Sequence, residues 1–314
     1  MLTMHHAPIK RLSRPEAPRG FRVTDRDIDI LRLVARFRFL NSALVIKFLG
    51  GSPQQILRRL QGLYAHAWVD RPVQQYLHLA KLGNPPLVYG LGRQGAKMLA
   101  ELGMPIDPAL DWTWKNSQAT APFLAHTLDV AEAVCAFEHA CRAGDARLID
   151  HHELLPLMPQ KTQELRDPFK LRVSLRSGLK TPLSLAVIPD RLFSVALTDQ
   201  TRHNFALELD RGTMPIVSKR NTERSSFGQK LAAYHFAWKE KRHTEAWGFQ
   251  NFRILTVTTS EARIETMLNA QPKITNENAP GLFLYSTPER ITHHGAFDNW
   301  TNGKGDIVSL LKKV

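Results

Sequence analysis

The chain has 314 residues, is 43% apolar and carries a formal net charge of +13. That length suits two domains with cores of their own, and no run approaches the ~18 consecutive apolar residues of a membrane span. The opening MLTMHHAPIKRLSRPEAPRG lacks the apolar stretch of a secretory signal, and Cys135 and Cys141, six apart in one predicted helix, are poorly placed for a mutual disulfide, so a reducing, cytoplasmic setting is expected.

The charge is unevenly spread. Residues 1–104 hold 16 Lys+Arg against 6 Asp+Glu, a net of +10, whereas the remainder holds 26 against 23. A basic first third points to a nucleic-acid module. Residues 1–23, rich in Pro, Arg and His, read as a mobile basic arm. Residues 24–104 then give a domain. Thr24 caps a helix in TDRDIDILRLVARFRFL, with Asp27 at its third position and Ile28, Leu31, Val34 and Ala35 as the apolar stripe. A second short helix, SALVIKFLG, stops at Gly50-Gly51. Ser52 caps a third, SPQQILRRLQGLYAHAWV, whose inner face is Ile56, Leu57, Leu60 and Leu63. Gln54, Gln55, Arg58, Arg59 and Gln61 are left outward, and amides and guanidiniums are the groups that reach base edges and phosphates in a major groove. WVDRPVQQ and PPLVYGL read as two strands flanking a loop that holds Lys81, and RQGAKMLAELG as a closing helix. Three helices followed by a hairpin is the order of a winged helix-turn-helix. The bland alternative is that Arg58 and Arg59 solvate an exposed helix face.

Residues 105–121, with Pro105 and Pro108 and no sustained period, read as a linker in which Trp112 and Trp114 pack as anchors. Residues 122–314 form a second domain. A helix over FLAHTLDVAEAVCAFEHACRAG leads to a strand ARLIDHHEL, a strand pair LSLAVIPDRLFSVAL and RHNFALELDRG, a helix SSFGQKLAAYHFAWKEKRH, a strand FRILTVTT, a helix EARIETMLNA and a last strand GLFLYST. Mixed helices and strands in this order indicate an α/β (α+β) domain around a mixed sheet.

Within it, NFALELDRG sets Glu208 and Asp210 on one face of a strand, because residues two apart in a strand point the same way. A hairpin centred on Asp199 brings Asp190, read as near the middle of its own strand, opposite Glu208. Three acids meeting on a sheet is what a divalent cation such as Mg2+ asks of oxygen ligands. Lys230 and Gln229, on the following helix, are within reach of the same cleft. The competing reading is a structural network in which Arg191 and Arg211 neutralise Asp190, Glu208 and Asp210.

Asp190 and Glu208, in PDRLF and FALELDRGT, resemble the motif of PD-(D/E)xK nucleases. With RDIDILRLVARFRFL, LRRLQGL, VYGLGRQGAKML, AHTLDV (His126 and Asp129) and QKLAAY, the chain over roughly residues 24–260 resembles the replication-relaxation family, a winged helix followed by a degenerate nuclease-like domain. That resemblance implies association with double-stranded DNA in the replication, relaxation or transfer of plasmids or integrating elements, alongside replication, relaxase or transfer proteins. It departs from an active nuclease where the lysine of the motif is expected, because Asp210 stands there. Loss of that lysine removes a charge that activates the attacking water. The second domain is therefore expected to recruit partners or form a homodimer rather than cut. The alternatives are a Mg2+-dependent endonuclease using Asp190, Glu208, Asp210 and Lys230, and a transcription regulator.

Other signals are weaker. His5-His6, His151-His152 and His293-His294 look like metal pairs, but neighbours in a strand face opposite ways and no Cys/His spacing completes a zinc site. GLGRQG lacks the βαβ setting of a dinucleotide fingerprint. His126 is read as a packing residue, since no Ser or Cys nucleophile accompanies it.

Overall fold

The computed structural model describes residues 13–17, 19–75, 85–175, 183–216, 226–276, 279 and 281–311. The protein is α+β and divides into two compact units, Met1–Cys135 and Ala136–Val314.

In the first unit, α1 (Asp25–Phe37), β1 (Phe39–Asn41), α2 (Ser42–Leu49) and α3 (Pro53–Ala65) precede β2 (Val69–Asp70), β3 (Val88–Leu91), α4 (Arg93–Glu101) and α5 (Trp112–Ser117). Local chemistry fixes the helix starts. The Asp27 carboxylate takes the Thr24 N–H at 2.7 Å and its hydroxyl at 2.8 Å, and Asn41 Oδ1 takes the Leu44 N–H at 2.8 Å. Gly50 and Gly51, at φ 64° and 86°, make the left-handed exit from α2 that side chains resist. Ser52 and Pro53 then open α3. Ile30, Leu31, Val34, Val45, Ile56, Leu60 and Leu63 are buried together as the helical core. The three strands pair antiparallel in the order β1-β3-β2. Gly90 in β3 is required by packing, since a Cβ there would lie 2.8 Å from the Phe39 ring.

Two spans at the edges of this unit are more structured than the sequence suggests. From the expected arm, Arg14 pairs with Asp70 at 2.6 Å and lies over the Tyr64 ring, and Phe21 stacks on His66 at 4.5 Å. The expected linker contains α5, whose buried Asn116 donates to the Leu91 carbonyl at 2.9 Å. Trp112 donates to the Asp107 carbonyl, whereas Trp114 is 61% exposed rather than packed.

Helix α6 (Ala121–Ala143) contains the division between the units. The second unit continues with β4 (Arg147–Asp150), α7 (His151–Leu154), α8 (Gln160–Gln163), β5 (Leu171–Leu175), β6 (Leu183–Val187), β7 (Arg191–Ala196) and β8 (Arg202–Asp210). After these come α9 (Phe227–Lys239), α10 (Arg242–Trp247), β9 (Arg253–Thr258), α11 (Glu261–Thr275), β10 (Phe283–Ser286), α12 (Pro288–His294), β11 (Trp300–Asn302) and β12 (Ile307–Val308). Seven strands form one mixed sheet, β12-β11-β10-β9-β8-β7-β4, parallel at β8–β9 and β9–β10 and antiparallel elsewhere. Strand β8 is central, and Phe205 to Glu208 are buried on both of its faces. Ala206, Ile254 and Phe283 share one core with Leu231, Tyr234, Trp247 and Met267. On the opposite face the Phe193 and Phe205 rings meet at a tilt, 5.4 Å apart, and Phe137 meets Phe193 at 4.9 Å.

The hairpin register agrees with a turn about Asp199, as Arg191 pairs with Leu207 and Ala196 with Arg202. The strand expected to run from Leu183 through Asp190 is instead broken. Its first half, β6, pairs with β5 in a separate two-stranded sheet, and Asp190 lies just before β7 rather than in mid-strand. Pro189 accounts for the break, because it has no N–H for a ladder. Two further strands, β11 and β12, follow GLFLYST, which is therefore not the last.

Candidate nucleic-acid interface and acidic sheet end

Helix α3 buries Ile56, Leu60, Leu63 and Tyr64, and this leaves Gln54, Gln55, Arg58 and Gln61 exposed along its outer face. Leu57, read as an inner residue, is 40% exposed on the same side. Among the described residues, Arg58 has no ion pair or hydrogen-bonded side-chain partner. Arg59 behaves differently. Its Nε donates to Asp27 Oδ1 at 2.8 Å, its Nη2 contacts Asp27 Oδ2 and the Arg22 carbonyl, and its guanidinium covers the Phe21 ring. The buried Asp27 carboxylate raises the Arg59 pKa, the hydrogen bond outweighing burial. Arg59 therefore closes the α1–α3 junction, while Arg58, Gln54 and Gln55 face outward. Lys81 lies outside the described residues.

In the second unit the C-terminal ends of β4, β8, β9 and β10 and the start of β7 gather at one end of the sheet, as the strand directions require. Polar groups concentrate there, where α/β sheets place their ligand crevices. Glu208 and Asp210 do share a face, in register with Thr256 and Thr258 of β9. Each acid has its own partners. Lys230 Nζ lies 2.5 Å from Glu208 Oε2, and the Tyr234 hydroxyl donates to Glu208 Oε1 at 2.6 Å. Asp210 takes Arg263 Nε at 2.9 Å, Arg263 Nη2 at 3.1 Å and the Thr258 hydroxyl at 2.7 Å. Asp190 Oδ2 takes the Leu209 N–H at 2.8 Å, which ties the start of β7 to the end of β8.

Burial, helped by the Asp190 carboxylate, pushes Glu208 up to about 7 in spite of Lys230. Lys230 is pulled down by burial but raised overall by Glu208 and Asp190. Tyr234 is held far above the ordinary phenol range by burial and by Glu208. The three acids do not fit a shared divalent cation as they stand. The three carboxylates do not converge as one ligand group.

Lys230 thus faces the cluster, as its place on the following helix suggested. Arg191 does not, and alternation explains why: next to Asp190 in sequence, it projects from the opposite face. There its Nε donates to Asp150 Oδ1 at 2.7 Å and its Nη2 contacts Asp150 Oδ2, forming a buried pair. The neutralising partner of Asp210 is Arg263, from α11, which sequence reasoning missed. No local spacing marks it, because it arrives from more than fifty positions away. Asp150 was missed too, although its place before His151-His152 is a cap signal: it opens α7 by accepting the His151 N–H at 2.7 Å. Arg191, with the two histidines, holds Asp150 well below the usual carboxylate range against the opposing effect of burial. Burial also pulls His151 below the ordinary imidazole value, outweighing Asp150. His126 is half-buried in α6.

Among the described residues no helix is long and apolar enough to cross a membrane. No curated protein and no solved structure matches the chain. The sequence model of the replication-relaxation family matches residues 31–250, which is well over half of the chain and reaches from α1 to the end of α10. The chain belongs to the replication-relaxation family, and membership suggests a role in the replication or relaxation of plasmids or mobile elements.

Proposed function

We propose that the protein is a double-stranded-DNA-binding accessory or regulatory factor of a plasmid or integrating element. Its first unit holds duplex DNA as a winged helix, with α3 in the major groove. The observation that carries this reading is the outer face of α3, where Gln54, Gln55, Arg58 and Gln61 stand exposed above a buried apolar face. The order α1–β1–α2–α3–β2–β3 and the β1-β3-β2 sheet support it, since a wing must fold back beside its recognition helix. The net of +10 over residues 1–104 supplies the long-range attraction to phosphate.

The second unit, on this reading, is a nuclease-like domain that recruits partners or self-associates and does not cut. Lys230 and Tyr234 neutralise and cap Glu208, and Arg263 takes Asp210 where a nuclease keeps its lysine. Retention of labelled duplex in a mobility-shift assay tests the first part. Arg58→Glu should abolish retention, and unchanged retention would overturn the assignment. Arg59 is unsuited to that test because it also holds buried Asp27. Incubation of supercoiled plasmid with Mg2+ or Mn2+ tests the second part. Intact supercoils are expected, and nicking lost in Glu208→Gln and Lys230→Met would establish the endonuclease instead. Footprinting at the protein's own promoter, rather than at an origin-like site, would favour a transcription regulator.

A further inference from the structure

Asp150, His151 and His152 form a second polar group at the same sheet end, and the proposed DNA grip makes no use of it. The two histidines do not lie in a strand facing opposite ways. They open helix α7, whose first turn swings both rings back over the capping Asp150. His151 Nδ1 lies 3.3 Å from Asp150 Oδ1, His152 Nδ1 lies 3.6 Å from Asp150 Oδ2, and the two rings are nearly perpendicular with centroids 5.8 Å apart. One donor atom from each residue falls within 4.8 Å of the others, which no other His, Cys, Asp or Glu trio among the described residues achieves.

We propose that Asp150, His151 and His152 bind a divalent transition-metal ion of the zinc or cobalt class. Four-coordinate ions with bonds of about 2.0–2.1 Å hold neighbouring ligand atoms roughly 3.3 Å apart, which is the distance from His151 Nδ1 to Asp150 Oδ1, and all three residues offer a donor atom within 4.8 Å of the others. The 3.6 Å approach of His152 is too long for a direct hydrogen bond and suits two ligands of one ion. Two imidazoles and one carboxylate favour such ions over Mg2+, which prefers an all-oxygen shell. Arg191 fits as the outer support. It grips Asp150 from behind, fixing the carboxylate orientation, and a carboxylate with about four acceptor sites retains room for a metal. His151 packs edge-on against Phe169, which sets its ring plane. With the His152 side chain 53% exposed and that of His151 29% exposed, the ion would enter from solvent and keep water in its remaining positions.

The test is calorimetric titration of the full chain with Zn2+, together with the visible absorption of Co2+. One ion per chain is expected. His152→Ala, a change at an exposed position, should weaken binding at least about tenfold, and His151→Ala at least as much. A variant with His5, His6, His293 and His294 all changed to alanine should bind as the parent does. Asp150 itself is left in place, because its removal strands Arg191. Absence of binding, parent-like binding by His152→Ala, or loss of binding in the four-histidine variant would each overturn the proposal.

Discussion

The outer face of α3 and the acidic end of the central sheet are both rich in charge, but they are built in opposite ways. On α3 the polar side chains are exposed, and Arg58 is left without a protein partner among the described residues. At the sheet end Glu208, Asp210 and Asp150 are buried, and each is matched to a cation: Lys230, Arg263 and Arg191. Burying an unmatched carboxylate is costly, so at Glu208 and Asp210 the second region spends its charges on itself. The first leaves them open to solvent, as the proposed DNA grip requires. Charge composition alone would not separate the two.

The largest expected effect belongs to the matched region. Arg191→Met strands Asp150 as a buried charge and should cost the second unit about 3–5 kcal/mol in denaturant unfolding. A loss below 1 kcal/mol would show that the histidines alone carry Asp150. Next is a pH dependence. Glu208 sits at about 7 in the folded chain, against an ordinary value of 4.5. The folded state then holds the extra proton between those values. Its contribution to stability is present below about pH 4.5 and is lost as pH rises through 7, with an amplitude on the order of 3 kcal/mol. Glu208→Gln should flatten that slope, and an unchanged slope would place the titration elsewhere.

Arg59→Ala is expected to lower the stability of the first unit by about 2 kcal/mol, less than at Arg191 because Thr24 still donates to Asp27. A change near zero would return Arg59 to the solvated face. Smallest in folding terms is Arg58→Glu, within about 0.5 kcal/mol of the parent. Its effect should lie in DNA affinity, at least about tenfold weaker and with a shallower dependence on salt.

The parts legible in the sequence were those fixed by local chemistry. Thr24 with Asp27, and Ser52 with Pro53, mark their helix starts without any tertiary information. The turn about Asp199 fixes the β7–β8 register, because a tight hairpin leaves little freedom in pairing. Lys230 was readable from its place on the helix after the acids. What stayed hidden depended on distant chain or on a switch of local structure. Arg263 reaches Asp210 only because β9 lies parallel to β8 and α11 then crosses back over that face. Pro189 was visible as a breaker, but the hand-over of β6 to a separate hairpin with β5 was not, since both halves are short, mainly apolar runs that read equally as strand. His151 and His152 read as strand residues because ARLID is a strand, and its ending at Asp150 is a capping event marked only by Glu153 three residues on.

The most direct test of the contrast is the affinity of the full chain for a labelled duplex in Mg2+, measured by fluorescence anisotropy for the parent, Arg58→Glu and Glu208→Gln. The account predicts at least a tenfold loss for Arg58→Glu and parent-like affinity for Glu208→Gln. Parent-like affinity for Arg58→Glu, with the loss confined to Glu208→Gln, would contradict it and move the DNA site to the sheet end.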